Sequence, residues 1–272
     1  MHLDVVDLRA FYYRTKLGRS AQSALQAALT DLLPEARGLT LAGFGFAPPI
    51  LRPFVGDAAR IISLMPGQQG VMPWPAGAAN VSVLVEETSW PLDAASVDRL
   101  IVAHGLETCE SPGALLDEIW RVLTPGGRAI FIVPNRSGIW ARRDATPFGV
   151  GRPYSFGQLE KLLDDHRFRP ERHGAALYAP PSHRRLLLQT APVLERLGRR
   201  FDPRFFAGVL LVEASKEIYA RPRPPGAKIT VPGPLDVLEG LTKPKPEPVS
   251  GRSPRARGSR CRALGARPLT LL

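Results

Sequence analysis

The sequence predicts an α/β fold, a Rossmann-like doubly wound and mostly parallel sheet with helices on both faces and an antiparallel edge strand. Two apolar runs of strand length, Leu100–Ala103 and Ala129–Val133, have the β-branched content of strands that are buried on both faces. Between them, a segment with helical spacing begins at Ser111-Pro112 and ends before Gly126-Gly127. A strand, a helix and a second strand form a crossover unit, and such units join parallel strands. A parallel sheet covered by helices is therefore the predicted architecture.

The remaining elements are predicted from apolar periodicity and turn residues. Residues 5–33 have a helical apolar stripe, with Gly18 as a break between two segments and Pro34 at the end. Strands are predicted at residues 38–42, 60–65 and 80–85 before the crossover unit, and at 168–178 and 207–214 after it. Helices are predicted at residues 156–163, capped by Ser155, and at 183–197. The two late strands are expected to pair antiparallel at the sheet edge.

The length of 272 residues favours one core domain with appendages. We expect an N-terminal helical segment at 1–37, a Rossmann-type domain at 38–219 and a basic, Pro-rich tail at 220–272. The tail holds ten of the 28 prolines. Its composition cannot bury enough apolar surface to offset the entropy of ordering, so it is expected to be disordered.

The net charge of +11 belongs mostly to that tail. Residues 220–272 contain eleven Lys and Arg residues against Asp236, Glu239 and Glu247, so eight of the eleven net charges lie there. The remainder of the chain is close to neutral. Binding to nucleic acid is therefore expected only through the basic tail, as a salt-dependent association.

Several classes of protein are excluded by composition. The longest apolar runs are of strand length, short of the roughly 18 residues that a membrane-spanning helix requires, and the N-terminus has no secretory signal pattern. Cys109 and Cys261 lie far apart in dissimilar surroundings, which argues against a disulfide framework and against a metal site. A cytoplasmic location is expected.

Two short segments are candidates for ligand binding. The first is the strand-to-helix turn with Gly43 and Gly45, where backbone amides can approach a ligand because no side chain intervenes. A tight turn without a ligand is the competing interpretation. The second is the pair Glu86 and Glu87 at the carboxyl end of a predicted strand, where open α/β sheets bind ligands. We favour a binding role for Glu86 and a solvated surface charge for Glu87.

The polar excursion from Asn135 to Tyr154 is a candidate lid or substrate loop, because long loops inside compact domains tend to be functional.

The segments WPLDAASVDRLIVAHGLETCESP and LLDEIWRVLTPGGRAIFIVPN resemble the class I S-adenosylmethionine-dependent methyltransferases, within their group of small-molecule-type domains. The resemblance covers roughly residues 38–215 and is densest from Glu86 to Asn135. It implies a Rossmann-like fold, S-adenosyl-L-methionine as cofactor and a small-molecule substrate, with the oligomeric state open.

The resemblance also implies site residues. Gly43 and Gly45 match the glycines beneath the methionine and ribose parts of the cofactor, and Glu86 matches the acid that accepts a hydrogen bond from the adenine amine. Ala103 and His104 match the wall near the sulfonium. Ala47 stands at the third glycine of this motif, so the motif is degenerate. The resemblance assigns no catalytic base, and the candidates are His104, Glu107 and Tyr154.

Other departures concern the acids of the family. Leu41 stands where the first strand usually has an acid, and Met65 or Pro66 stands where the ribose-binding acid is expected. Each charge-assisted hydrogen bond to a ribose hydroxyl contributes about 1.5–3 kcal/mol. Backbone carbonyls, or Gln68 and Gln69 in the following loop, are candidate replacements for the missing ribose-binding acid.

Three functions therefore compete. The first is a methyltransferase, the second a non-catalytic module that kept the scaffold, and the third a dinucleotide-dependent oxidoreductase. The last is disfavoured because Pro48 replaces the final glycine of its Gly-x-Gly-x-x-Gly fingerprint.

Overall fold

The structure is a computed structural model that describes residues 4–142, 146–201 and 206–217. Its contacts divide the chain into two units, Met1–Ala220 and Arg221–Leu272. The predictions made for the tail, including its disorder and its association with nucleic acid, lie outside the described residues.

The first unit contains seven strands and six helices among its described residues. The strands are β1 (Thr40–Gly45), β2 (Arg60–Pro66), β3 (Ser82–Val85), β4 (Val97–Ala103), β5 (Leu123–Pro134), β6 (Phe168–Ala176) and β7 (Val209–Lys216). The helices are α1 (Val5–Arg9), α2 (Lys16–Leu32), α3 (Pro48–Leu51), α4 (Pro112–Val122), α5 (Phe156–Asp165) and α6 (Arg185–Phe201). A π-helical turn, Ala10–Arg14, follows α1 directly, and short 3-10 turns lie at Arg52–Phe54, Trp140–Arg142 and Pro147–Gly149.

All seven strands form one sheet in the order β3-β2-β1-β4-β5-β7-β6. The first five strands pair in parallel, and β7 runs antiparallel to both β5 and β6. The predicted fold class is confirmed, as is the antiparallel pairing of the two late strands. Strand β7 runs in the opposite direction to the other six strands, and β6 lies at the edge of the sheet.

Each face of the sheet has its own core, because adjacent strand residues point to opposite sides. Leu41 belongs to the core that contains helix α2, whereas Ala42 belongs to the core that contains helices α4 and α5. Helix α6 contacts α2 and β6. None of the described helices combines the length and apolar character that crossing a membrane requires.

The N-terminal segment is helical as predicted, but its break lies at Thr15 rather than at Gly18. Thr15 is extended, and its Oγ1 accepts a hydrogen bond from the Gly18 N–H at 2.8 Å. Gly18 therefore lies in the first turn of α2. The predicted position was wrong because both Thr15 and Gly18 are plausible ends of a helical segment in the sequence. Only the hydrogen bond from the Gly18 N–H to the Thr15 side chain identifies Thr15 as the N-cap.

Helix α4 is tied to the loop after β3 by the Glu118 carboxylate. Its Oε1 accepts a hydrogen bond from the Trp90 N–H at 2.7 Å, and the Arg121 guanidinium donates to both oxygens at 2.7 and 2.8 Å. Chiefly through the Arg121 hydrogen bonds, these contacts hold the pKa of Glu118 below its usual value.

We expect Glu118→Gln to lower the free energy of unfolding by about 1 kcal/mol at pH 7. A depressed pKa in the folded state stabilises the fold above the unfolded value of about 4.3, and this contribution is lost as pH falls through the folded pKa. The loss should therefore be smaller at acid pH, which urea denaturation at pH 7 and at about pH 3 would measure. Glu35→Gln, at an exposed position, is the control, and an equal loss at both pH values would contradict the expectation.

Candidate functional site

The turn after β1 closes against the end of β4. Gly45 has a left-handed backbone with φ of 81°, and the Phe46 N–H donates to the Ala103 carbonyl oxygen at 2.8 Å. A Cβ on Gly45 would collide with that oxygen and would lie 3.0 Å from the Gly105 nitrogen. Gly45 is therefore required by the fold itself, whether or not a ligand binds above it.

Gly43 lies inside β1 and not in the turn that was predicted for it. It is paired with Ser63 of β2 and with Ile101 of β4. A Cβ there would lie 2.5 Å from a Leu51 side-chain carbon and 2.6 Å from the Ala47 Cβ. Gly43 thus allows α3 to pack against β1, and Ala47, at the start of that helix, is buried.

The structure places Glu86 and Glu87 in different surroundings. Glu86 is exposed directly after β3, whereas Glu87 is buried, with 9% of its surface exposed. Glu87 Oε2 lies 3.4 Å from both Cys109 Sγ and the Glu110 N–H, which donate to it. Burial and, next, the Glu87 charge raise the pKa of Cys109 to about 12, so this cysteine remains a thiol. The prediction of a solvated Glu87 was wrong because a neighbouring loop supplies donors that are distant in sequence.

Gln69 lies just after β2, beyond Met65 and Pro66, where the resemblance led us to expect the ribose-binding acid. Met65 and Pro66 are buried at the strand end, and a turn through Gly67 brings back Gln69, which is 2% exposed. The Gln69 Nε2 donates to the His104 carbonyl oxygen, and its Oε1 has no partner. Gln69 therefore links the end of β2 to the end of β4.

Tyr12, His104 and Glu107 form a buried row at the end of β4. The Tyr12 hydroxyl and His104 Nε2 are 2.7 Å apart, within hydrogen-bond distance. On the other side of the ring, His104 Nδ1 lies 3.4 Å from Glu107 Oε1 but lacks hydrogen-bond geometry. The three residues are 0%, 3% and 3% exposed. We call these three residues and Gln69 the strand-end cluster.

The electrostatics of the cluster favour a neutral tyrosine. Burial and, next, the nearby Glu107 charge raise the pKa of Tyr12 well above its usual value. Tyr12 therefore keeps its proton and can donate a hydrogen bond to the His104 ring. His104 itself has a left-handed backbone with φ of 52°, a conformation that turns the chain sharply at the strand end.

Aromatic side chains cover the strand-end cluster. The Tyr12 ring stacks on Phe46 at 5.9 Å between centroids, and Phe148 lies 4.9 Å from the His104 ring. Phe11 contacts both Tyr12 and Phe148 at 5.1 and 6.2 Å. The π-helical turn after α1 thus places its aromatic residues over the ends of β1 and β4.

Tyr154 reaches the same edge from the loop after β5. The Glu107 carbonyl oxygen accepts from the Arg152 N–H at 2.8 Å, and Tyr154 N–H donates to the Pro134 carbonyl oxygen at 3.0 Å. Burial and, next, the Glu107 charge raise the pKa of Tyr154 to about 12. The structure therefore places the three predicted catalytic candidates, His104, Glu107 and Tyr154, in one neighbourhood.

Tyr12 was not predicted as a site residue from the sequence, although its hydroxyl lies within hydrogen-bond distance of His104. The only signal was the aromatic run Phe11-Tyr12-Tyr13 in an N-terminal helix. Aromatic residues at helical positions are ordinary core residues, and the bond between Tyr12 and His104 spans 92 positions. Only the folded chain brings the two together.

These residues fit an adenosine-bearing cofactor in chemistry, but the space is filled by the chain itself. Buried polar atoms without a hydrogen-bond partner cluster here, at Gln69 Oε1, His104 Nδ1 and Glu107 Oε2, and such atoms favour a polar ligand. However, Gln69 and Tyr12 bind His104 directly. A ligand between the glycine turn and the end of β4 would therefore require the segment Val5–Arg14 and Gln69 to move. Within the described residues, no three His, Cys, Asp or Glu side chains are grouped to hold a metal ion.

Comparisons with known proteins agree with this fold. Residues 73–131 match a family model described as a methyltransferase domain, while no curated protein matches the sequence. An S-adenosylmethionine-dependent methyltransferase from Archaeoglobus fulgidus aligns with a TM-score of 0.53 at 14% identity, covering 78% of this chain and 100% of that one. One from Thermotoga maritima aligns with a TM-score of 0.52 at 16% identity, covering 77% and 94%.

A third structure is a geranyl diphosphate C-methyltransferase from Streptomyces coelicolor A3(2) in complex with Mg²⁺, geranyl-S-thiolodiphosphate and S-adenosyl-L-homocysteine. It aligns with a TM-score of 0.50 at 17% identity, covering 71% of this chain and 76% of that one. At these identities the structural likeness concerns the fold, and the domain match concerns the stretch that contains Glu86, His104 and Glu107. The resemblance predicted from the sequence, to the class I S-adenosylmethionine-dependent methyltransferases, is thereby confirmed for residues 73–131 and for the fold.

Proposed function

We propose that this chain transfers a methyl group from S-adenosyl-L-methionine to a small molecule, at the edge where β1, β2, β3 and β4 end. The single observation that carries the proposal is the position of the methyltransferase-domain match, residues 73–131, because it spans the segments that supply Glu86, His104 and Glu107. The geranyl diphosphate enzyme, which has the same fold and a small-molecule ligand, supports a small-molecule acceptor.

Residues at this edge of the sheet hold the cofactor. Glu86, exposed after β3, accepts from the adenine amine, and Gln69 takes the ribose hydroxyls with its amide in place of the missing acid. The backbone at Gly45 faces the methionine part. When bound, the cofactor supplies an electrophilic methyl group on its sulfonium.

The chain supplies the proton transfer. With Tyr12 withdrawn, His104 Nε2 is free to take a proton from an acceptor hydroxyl or amine. Glu107 stabilises the charged imidazole from the Nδ1 side, because its Oε1 is 3.4 Å away. The aromatic cover of Phe46 and Phe148 excludes water from that exchange.

A second function, a non-catalytic binding module, is favoured by one observation. The strand-end cluster is closed by direct contacts of Tyr12 and Gln69 with His104, and the family's ribose acid is replaced by Met65 or Pro66. If the strand-end cluster never opens, the chain keeps the methyltransferase-like fold but does not transfer a methyl group.

Calorimetry with S-adenosylmethionine and S-adenosylhomocysteine separates the two functions. We expect Tyr12→Phe to bind S-adenosylhomocysteine about fivefold more tightly than the native chain. In the native chain, the closed form lowers the apparent affinity for the ligand in proportion to its population. Removing the hydrogen bond destabilises that closed form by about 1 kcal/mol, so more of the variant is open and able to bind.

Tyr13→Phe, at the neighbouring half-buried tyrosine, is the matched control and should bind as the native chain does. No heat from any variant at high micromolar ligand would leave only the non-catalytic module. Weaker binding by Tyr12→Phe would contradict a closing role for Tyr12.

A further inference from the structure

Helix α6 contacts the rest of the chain with a side that holds small and polar residues together with Leu188, which packs against the core. Among the side chains of this helix that the structure describes, the buried ones are Ala191, Glu195 and Gly198, one above the other at helical spacing. The Glu195 carboxylate accepts from three consecutive backbone amides, those of Leu177, Tyr178 and Ala179, at 3.1, 2.7 and 3.4 Å. Gly198 packs flat against the Tyr178 ring, where any Cβ would collide. The rotation of α6 about its axis is therefore determined by specific contacts.

As a result, the apolar side of α6 points away from the protein. The larger apolar residues on that side are between 36% and 77% exposed. Their spacing of three, four and seven residues places them on one face of the helix, which we call the outer stripe: Leu186, Val193, Leu194, Leu197 and Phe201. Most amphipathic helices of folded domains bury such a stripe in the core, so this one is oriented for another surface.

One border of the outer stripe is basic. Arg196 and Arg200 are exposed along it, at angles that follow from their positions in a helix of 3.6 residues per turn. Arg199 is instead engaged by Asp31, with 3.0 Å between Nη1 and Oδ2. The acid of this helix, Glu195, is buried on the opposite side. The outer face of α6 thus combines apolar side chains with positive charge.

The combination of apolar and positively charged side chains favours some binding partners of this surface over others. A second copy of the chain, related by a two-fold axis, would pair the helices antiparallel and set the basic border of one against the same border of the other. Like charges across an interface without acids are unfavourable. An occupant that is both apolar and negatively charged satisfies both parts of the surface, and an anionic bilayer offers acyl chains beneath acidic headgroups.

We propose that the outer stripe of α6 is a membrane-docking surface that lies in the headgroup region of anionic lipid bilayers. The helix has 17 residues and would lie parallel to the bilayer over about 25 Å at 1.5 Å per residue. Leu197 and Phe201 enter the boundary of the acyl chains, while Arg196 and Arg200 meet lipid phosphates. The association is peripheral and reversible.

The test is co-sedimentation of the full chain with two kinds of vesicle, phosphatidylcholine alone and phosphatidylcholine containing phosphatidylglycerol. We expect binding to the anionic vesicles only. The double variants Leu197→Gln/Phe201→Gln and Arg196→Glu/Arg200→Glu should each weaken it by about tenfold or more, since apolar burial and headgroup attraction both contribute.

Matched controls carry the same changes elsewhere. Val83→Gln/Leu84→Gln alters exposed apolar residues of the edge strand β3, and Arg37→Glu/Arg60→Glu alters exposed basic residues at the opposite end of the sheet. Both should bind as the native chain does. Circular dichroism of every variant verifies that α6 and the sheet are retained.

Three results would overturn the proposal. Equal binding by all variants would assign the association to the basic tail, which every variant keeps. Equal binding to neutral and anionic vesicles would remove the role of Arg196 and Arg200. A native dimer in sedimentation velocity that Leu197→Gln/Phe201→Gln dissociates, without vesicle binding, would identify the occupant as a second copy.

Discussion

Replacing Gly45 with alanine is expected to destabilise the fold by about 3 kcal/mol. The left-handed φ of 81° costs an L-residue about 1–2 kcal/mol. The added Cβ would also collide with the Ala103 carbonyl oxygen and approach the Gly105 nitrogen. Both are backbone atoms, so the ends of β1 and β4 must separate to accept it.

Gly77→Ala is the matched control, because Gly77 has nearly the same φ, 80°, and no atom within 4 Å of an added Cβ. It should lose only the conformational part, about 1 kcal/mol. Urea denaturation of both variants gives the comparison. Equal losses would mean that the closure of the turn on β4 contributes nothing to stability.

Replacing Glu195 with alanine is also expected to cost about 3 kcal/mol, through a different cause. The substitution leaves the amides of Leu177, Tyr178 and Ala179 without their acceptor, and unsatisfied buried donors are costly. Because these amides follow β6, we expect α6 to detach first, and limited proteolysis of the variant should cleave within or beside α6.

The pH dependence at Glu195 has the opposite sign to that at Glu118. Burial, which outweighs the three amide hydrogen bonds, raises the pKa of Glu195. The stabilisation that protonation of Glu195 provides is complete below the unfolded pKa of about 4.3 and is lost as pH rises through the folded pKa.

The control for Glu195→Ala is Glu35→Ala, at an exposed site, which should change the free energy of unfolding by less than about 0.5 kcal/mol. A similarly small loss for Glu195→Ala would contradict the anchoring of α6.

Much of the fold was predictable because local patterns and topology agree. The apolar runs at 100–103 and 129–133 lie within β4 and β5, and Ser155 caps α5 with a capping box formed with Gln158. Buried strands and helix caps leave signatures within a few residues of themselves. Boundaries were less certain, as the break at Thr15 and the length of β1 demonstrate.

The candidate site was predicted in part. His104, Glu107 and Tyr154 were predicted as candidates for the catalytic base, and they lie near one another at the edge where parallel strands end. The burial of Glu87, the position of Gly43 inside β1 and the contact between Tyr12 and His104 were not predicted. Each depends on which neighbour packs against a residue, and that neighbour is distant in the chain.

The sequence by itself determined the order of strands and helices along the chain, the methyltransferase resemblance and the edge of the sheet that was proposed for the site. These depend on short-range periodicity and on general rules of chain connection. The tertiary structure alone decided that Tyr12 and Gln69 close the strand-end cluster, and that α6 turns its apolar side outward. Both outcomes depend on specific hydrogen bonds across long separations, those of His104 with Tyr12 and of Glu195 with the amides after β6, and no local pattern encodes them.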